Sequence, residues 1–271
     1  MGSIFGGGLT KTGTGRLSLG GSNLFGADLD VNDGTLELTN AGAASGSAIN
    51  LAAGTTLDLG ANISNVINLT NATLTTTGNR TFQGTLNVTG DVTVSNRDPE
   101  SPNTNNNFLI QGNGLQGSGN ITVRGYGNNN NPDGGGGVRF QSTVPSNFTG
   151  NITVLNATKF ESQMAEGGTN PINSAKVFMT GGTFLAGHTG TYSQFNIRTA
   201  GGNPVFGSGV EVIGTGMANL NPVNTSAVTG DQTMTFNNLR IGDGQVLGVN
   251  KNDVPTHTVA FNSVTLRGGN A

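Results

Sequence analysis

The chain has no cysteine and no tryptophan, only two tyrosines, and few charges: Asp, Glu, Lys and Arg make up 10% of its 271 residues. Without cysteine there are no disulfides and no thiolate metal sites, and a chain that must cross a periplasm unfolded is spared premature bridging. Lys and Arg total 12 against 15 acids, a net charge of −3, and the cations are scattered singly. Nothing here tracks a phosphate backbone, so nucleic acid is not an expected partner. No apolar run approaches the roughly 18 residues of a membrane-spanning helix, and Met1-Gly-Ser-Ile-Phe has neither region of an export signal, so this segment is expected to insert into no membrane. A Met-Gly-Ser opening suits a piece excised from something longer.

What is abundant is glycine, at 46 residues, with Asn and Thr dominating the polar remainder. Gly supplies positive backbone angles and Asn tolerates the left-handed region, while Thr and Val prefer a pleated strand. Such a chain can turn every few residues. Its hydrophobic content of 33% is patterned, which separates it from a disordered polar chain.

The pattern is a repeat. Leu17, Leu36, Leu57, Leu74 and Val92 follow one another at gaps of 19, 21, 17 and 18 residues, and Leu29, Ile49, Ile67 and Leu86 interleave with them at gaps of 20, 18 and 19. Most carry a second apolar residue two positions on, as in Leu19, Leu38 and Leu59, or Val31, Leu51 and Leu69. A repeat of about 19 residues built from short alternating runs lacks helical periodicity and suits one coil of a parallel β-solenoid. Each coil covers the previous one, so a thin core can run the length of the chain. The reading is all-β: a parallel β-solenoid in one module spanning residues 1–271.

Two segments interrupt the coils. Residues 97–107 contain two prolines and no apolar side chain, and residues 125–137 are mostly Gly and Asn, so both are expected as loop insertions outside the stack. Gly117-Ser-Gly119-Asn-Ile121-Thr-Val123 has the form of Gly13-Thr-Gly15-Arg-Leu17-Ser-Leu19, and Phe148-Thr-Gly150-Asn-Ile152-Thr-Val154 that of Phe25-Gly26-Ala-Asp-Leu29-Asp-Val31. These similarities read as a duplication whose second copy carries an insertion of about 19 residues. Beyond Ser162 the larger Phe and Met side chains imply a changed cross-section.

Candidate chemistry is sparse. Asp28-Leu-Asp30-Val-Asn32-Asp33-Gly34 alternates carboxylates as a calcium loop does, but Asp33 intervenes before the Gly and Glu37 falls at the wrong distance. With Leu29 and Val31 inside, Asp28 and Asp30 face solvent by simple alternation. His188 and His257 are the only histidines and the acids are dispersed beside turn residues, so no catalytic, cofactor-binding or metal-ligating residue is expected and neither hydrolase nor lyase activity. Ten Asn-x-Ser/Thr triplets, such as Asn68-Leu-Thr70 and Asn87-Val-Thr89, follow from a strand whose outer face uses Asn and Thr. If a partner is bound, the side chains most able to hold it are those of the two loops: Arg97, Asp98, Glu100, Arg124, Tyr126, Asn129 and Asp133.

The run Leu9-Thr-Lys-Thr-Gly13-Thr-Gly15-Arg-Leu17-Ser-Leu19, followed by Leu24-Phe-Gly26, Leu29-Asp-Val31 and Gly34-Thr-Leu36-Glu-Leu38, resembles the autotransporter-associated β-strand repeat of bacterial surface proteins. Residues 117–160 resemble it in part, keeping Gly-x-Gly-x-Ile-x-Val and Phe-Thr-Gly but not the Lys-Thr opening. The resemblance implies a right-handed parallel β-helix, a hand that agrees with the general bias of parallel crossovers, in an exported passenger module at the cell surface or outside the cell, a rigid scaffold or adhesin with no catalytic residues to carry over. Its expected partners are host or cell-surface glycans or proteins, or neighbouring copies. A head-to-tail fibre subunit and a polysaccharide-binding or -cleaving β-helix are the rival readings.

Overall fold

The computed structural model describes residues 3–97, 107–112, 114–125, 137–142, 146–155, 158–164, 170–172, 174–181, 193–199, 205–207, 209–224, 232–249 and 257–268. Among them are 28 short strands and no helix. Every strand pairing is parallel.

Three sheets carry the architecture, each with its strands stacked in chain order or nearly so. A first sheet of seven strands runs from Leu9–Lys11 to Asn147–Phe148, and a long sheet of 12 runs from Arg16–Leu19 to His257–Arg267. A third sheet of seven begins at Arg80–Phe82 and ends at Gln245–Val249. Up to Thr76 the chain alternates between the first and long sheets; from Arg80 to Phe148 it visits third, first and long in turn; from Asn151 it uses only the long and third. The cross-section therefore changes where the first sheet stops. A separate two-stranded pairing, Phe5–Gly6 with Leu24–Phe25, lies outside these sheets.

The alternating runs explain the strands. Ile49–Leu51 buries its first and last residues and leaves Asn50 half exposed, as a pleat requires when one face is covered. Equivalent residues then stack in register. Leu29, Ile49, Ile67 and Leu86 form one row, extended by Leu9 at one end and Leu115 at the other. Leu17, Leu36, Leu57 and Leu74 form another. Neighbours in a row are one strand spacing apart, about 4.8 Å, and each fully buried Leu or Ile contributes on the order of 2 kcal/mol.

Two sequence expectations are corrected here. Val92 does not continue the Leu74 row; Leu74 pairs with Val94, and the row goes on through Val123, Val154, Met179 and Val212. A slip of two residues keeps the same face inward, so alternation could not choose between Val92 and Val94. The duplication also dissolves. Ile152–Val154 lies in the long sheet directly beside Ile121–Val123, whereas Leu29–Val31 lies in the first sheet. The supposed insertion includes the third-sheet strand Gly137–Ser142, so it is part of the stack. Similar Gly-x-Ile-x-Val segments are successive rungs of one sheet.

The larger side chains of the later part fill the altered interior as a chain of rings. Phe140, Phe160 and Phe195 meet at centroid distances of 5.5 and 5.1 Å, and Phe236 stacks on Phe206 at 4.4 Å and on Phe261 at 5.5 Å. Offset and edge contacts of this kind add to their burial.

Candidate interaction surface

The two interruptions begin and end at adjacent places. Asn96 pairs with Gly125 in the long sheet, and Asn107 pairs with Gly137 in the third, so both connections leave and re-enter one corner on neighbouring rungs. Asn96 and Asn107 are buried, and Asn96 Nδ2 donates to the Gly137 carbonyl at 3.4 Å. Gly125 N donates to Thr158 Oγ1 at 3.0 Å, tying in the rung beyond.

Of the loop residues singled out in the sequence, Arg97 and Arg124 are described; Asp98, Glu100, Tyr126, Asn129 and Asp133 lie outside the described residues. Arg97 lies across the outer face of the long sheet, where Nη2 meets Asp58 Oδ2 at 2.8 Å and Nε donates to Thr75 Oγ1 at 2.9 Å. Arg124 is exposed beside Ser95. The outward row there reads Ser18, Glu37, Asp58, Thr75, Ser95, Arg124. Ser95 Oγ donates to Thr75 Oγ1 at 2.8 Å, joining the row into one network.

Among the described residues three carboxylates, each held by two or more cations, organise the outer faces. Asp58, buried, binds Arg16 and Arg97, and Arg16 also reaches Glu37 at 3.1 Å. The Arg16 guanidinium is raised above its ordinary value, chiefly by the hydrogen bond to Asp58, and burial opposes that rise. Glu161, fully buried, pairs with Arg139 and lies 3.4 Å from Lys159 Nζ. Glu211 gathers Lys176, Arg240 and Arg267. Family models, curated proteins and solved structures were compared with the chain, and none matches.

Sequence reading missed these clusters because, apart from Lys159 and Glu161, their paired members lie 21 to 56 positions apart. A register would have found two of them: Glu37 pairs with Asp58, and Arg139 with Glu161. Lys11 is another unforeseen anchor. Buried in the inward row beside Val31, its ammonium reaches the carbonyls of Thr12 at 3.0 Å, Gly13, and Asp33 at 3.1 Å, fastening two successive turns.

The acidic run and the Asn-x-Thr triplets resolve into one ladder. Asn87 Nδ2 donates to Asn68 Oδ1 at 2.7 Å, Asn68 Nδ2 to Asn50 Oδ1 at 2.6 Å, and Asn50 Nδ2 to Asp30 Oδ1 at 2.8 Å. A second ladder runs from Asn151 through Asn120 to Asp91. Each ends on a carboxylate, which accepts without needing to donate. Among the described residues no group of three His, Cys, Asp or Glu converges as a metal site would. His188 lies outside the described residues, and His257 pairs with Gln232 in the last strand. What the surface offers chemically is charge and hydrogen bonding, with its richest concentration at Glu211.

Proposed function

We propose that the three sheets are the faces of a right-handed parallel β-helix, with coils of about 19 residues in its first third and longer ones beyond, and that the chain serves as an extracellular structural or adhesive passenger module. In this reading the stacked rungs extend a stiff rod and the insertions carry recognition. The observation that carries it is the pairing of the loop roots, Asn96 with Gly125 and Asn107 with Gly137, which brings two long polar connections to one corner of an otherwise repetitive scaffold. Connections held on a rigid frame are where recognition is usually built. The Lys-Thr-Gly opening supports the reading too, since Lys11 gives that motif a structural purpose.

The deciding experiment replaces residues 98–106 and 126–136 by short Gly-Ser turns in the parent protein displayed on cells. Lost adhesion with an unchanged melting temperature is the expected result. Unchanged adhesion would leave the module as a spacer.

A further inference from the structure

The cluster around Glu211 differs from the other two in having donors to spare and a cavity beside them. Phe178, Glu211, Arg240 and Thr265 occupy one outward row of the long sheet. Lys176 Nζ pairs with Glu211 Oε2 and also lies 4.4 Å from the centre of the Phe178 ring. Arg267 Nη1 stands 3.3 Å from Glu211 Oε1, while Arg240 Nη1 is 3.7 Å from Oε2. That last separation is longer than a hydrogen bond. Among the described residues the Arg240 guanidinium makes none, and a third of the side chain is exposed.

A cavity of about 400 Å³ opens here, lined among the described residues by Glu211, Arg240, Asp243, Gln245, Arg267 and Gly268. That is the size of an ordinary small-ligand site. Its wall is braced: Gln245 Oε1 accepts from the Gly242 N–H at 2.5 Å, and its Nε2 donates to the Gly214 carbonyl at 2.6 Å. The geometry points to a binding site for a uronate unit of an acidic polysaccharide, its carboxylate held by Arg240 and Arg267.

Charge selects the ligand class. Within the lining Arg240 and Arg267 balance Glu211 and Asp243, and Lys176, outside the lining, pairs with Glu211, so the cluster as a whole keeps one positive charge to match one carboxylate. A phosphate dianion would exceed it and be repelled by Glu211. Guanidinium forks suit a planar carboxylate in a way that a point charge does not. Gly214, Gly242 and Gly268 present backbone at the wall and Val212, Ile213 and Ile241 complete it with apolar surface, against which the apolar face of a sugar ring can lie. The site needs neither the rod nor its display at a cell surface, so it stands apart from the adhesive reading.

The test is calorimetric titration of the full chain with trigalacturonate, with galactotriose as the neutral control. Trigalacturonate should bind, should weaken as salt is raised through the range where exposed charges are screened, and should lose at least about fivefold in affinity in Arg240→Gln and in Arg267→Gln. Arg267 is half exposed, so its variant keeps the fold, which circular dichroism checks, and it decides the matter even if Arg240→Gln does not fold. No binding of trigalacturonate, affinity unchanged in Arg267→Gln, or galactotriose bound equally well would overturn the proposal. So would tighter binding of inorganic phosphate or of a poly-glutamate peptide.

Discussion

Arg16 and Arg97 lie four strands apart across the long sheet and donate to one oxygen, Oδ2 of Asp58, at 2.9 and 2.8 Å. Asp58 sits on the strand midway between them, and the pair clamps five consecutive rungs from outside. Each arginine is partly exposed, so losing one is expected to cost only about 1 kcal/mol, the other remaining to satisfy the carboxylate. Losing both strands a buried charge, which costs on the order of 3–5 kcal/mol. Urea unfolding of Arg16→Gln, Arg97→Gln and the double variant should therefore show a double loss well above the sum. Additive losses would mean that water already satisfies Asp58.

The same clamp has a defined pH behaviour. The folded Arg16 value is raised above the unfolded one, so its contribution is complete at every pH below the unfolded value and fades only as pH climbs through the folded value, in strong alkali. Between about pH 6 and pH 9 the stability difference between the native chain and Arg16→Gln should be flat. A slope in that interval would place the titration on another group.

Leu57 is fully buried between Leu36 and Leu74. Leu57→Ala is expected to cost about 3 kcal/mol through the cavity it leaves, and Leu57→Asp to abolish folding. Thr56→Asp, one position away on the outward face, should cost under about 1 kcal/mol. Comparable losses in Leu57→Asp and Thr56→Asp would contradict the inward assignment of Leu57.

The rows of Leu and Ile were legible because the gaps vary little in the first third and the inward residues are apolar. From Leu86 on, paired residues lie farther apart, as Leu86 with Leu115 or Val177 with Val210, because third-sheet strands and long connections enter each circuit. A fixed period fails there while the pleat alternation survives. The charged clusters were illegible for a different reason. Arg16 and Asp58 become neighbours only once two gaps are known to within one residue, and the Val92 slip of two shows that alternation alone does not fix them. The resemblance to the passenger repeat pointed to parallel strands and was silent about Asp58, Glu161 and Glu211.

The Phe-x-Gly turns allow a sharper test than the repeat itself. At Gly84 and at Gly150 a Cβ would collide with a backbone carbonyl of the preceding rung, Asn65 or Gly119, and with the ring of the Phe two residues earlier. Neither glycine has a positive φ, so the demand is for space alone. Gly150→Ala is therefore expected to cost at least 2–3 kcal/mol, the scale of overpacking in a tight interior. At Gly54, where φ is +79° and the space is open, alanine should cost about 1 kcal/mol. Equal losses at the two positions would show that backbone angle and not rung-to-rung approach sets the requirement.

Asn68 stands in the middle of the amide ladder, donating to Asn50 at 2.6 Å and accepting from Asn87 at 2.7 Å. Replacement by Asp keeps the acceptor and loses the donor, leaving a carboxylate oxygen against Asn50 Oδ1, and should cost about 1–2 kcal/mol at neutral pH. Asn50→Asp should cost more, because it sets a third carboxylate against Asp28 and Asp30, which the amide of Asn50 now joins at 3.4 and 2.8 Å. Crowding raises the pKa of the introduced acid above its unfolded value, so its penalty is present at high pH and lifts as the pH falls and the group protonates to become a donor. Thermal melts at pH 7 and at about pH 4 should show Asn50→Asp closing most of its gap to the native chain in acid. A gap that stays constant or widens would mean that the ladder is held by the strand pairing beneath it and that its side-chain hydrogen bonds add nothing.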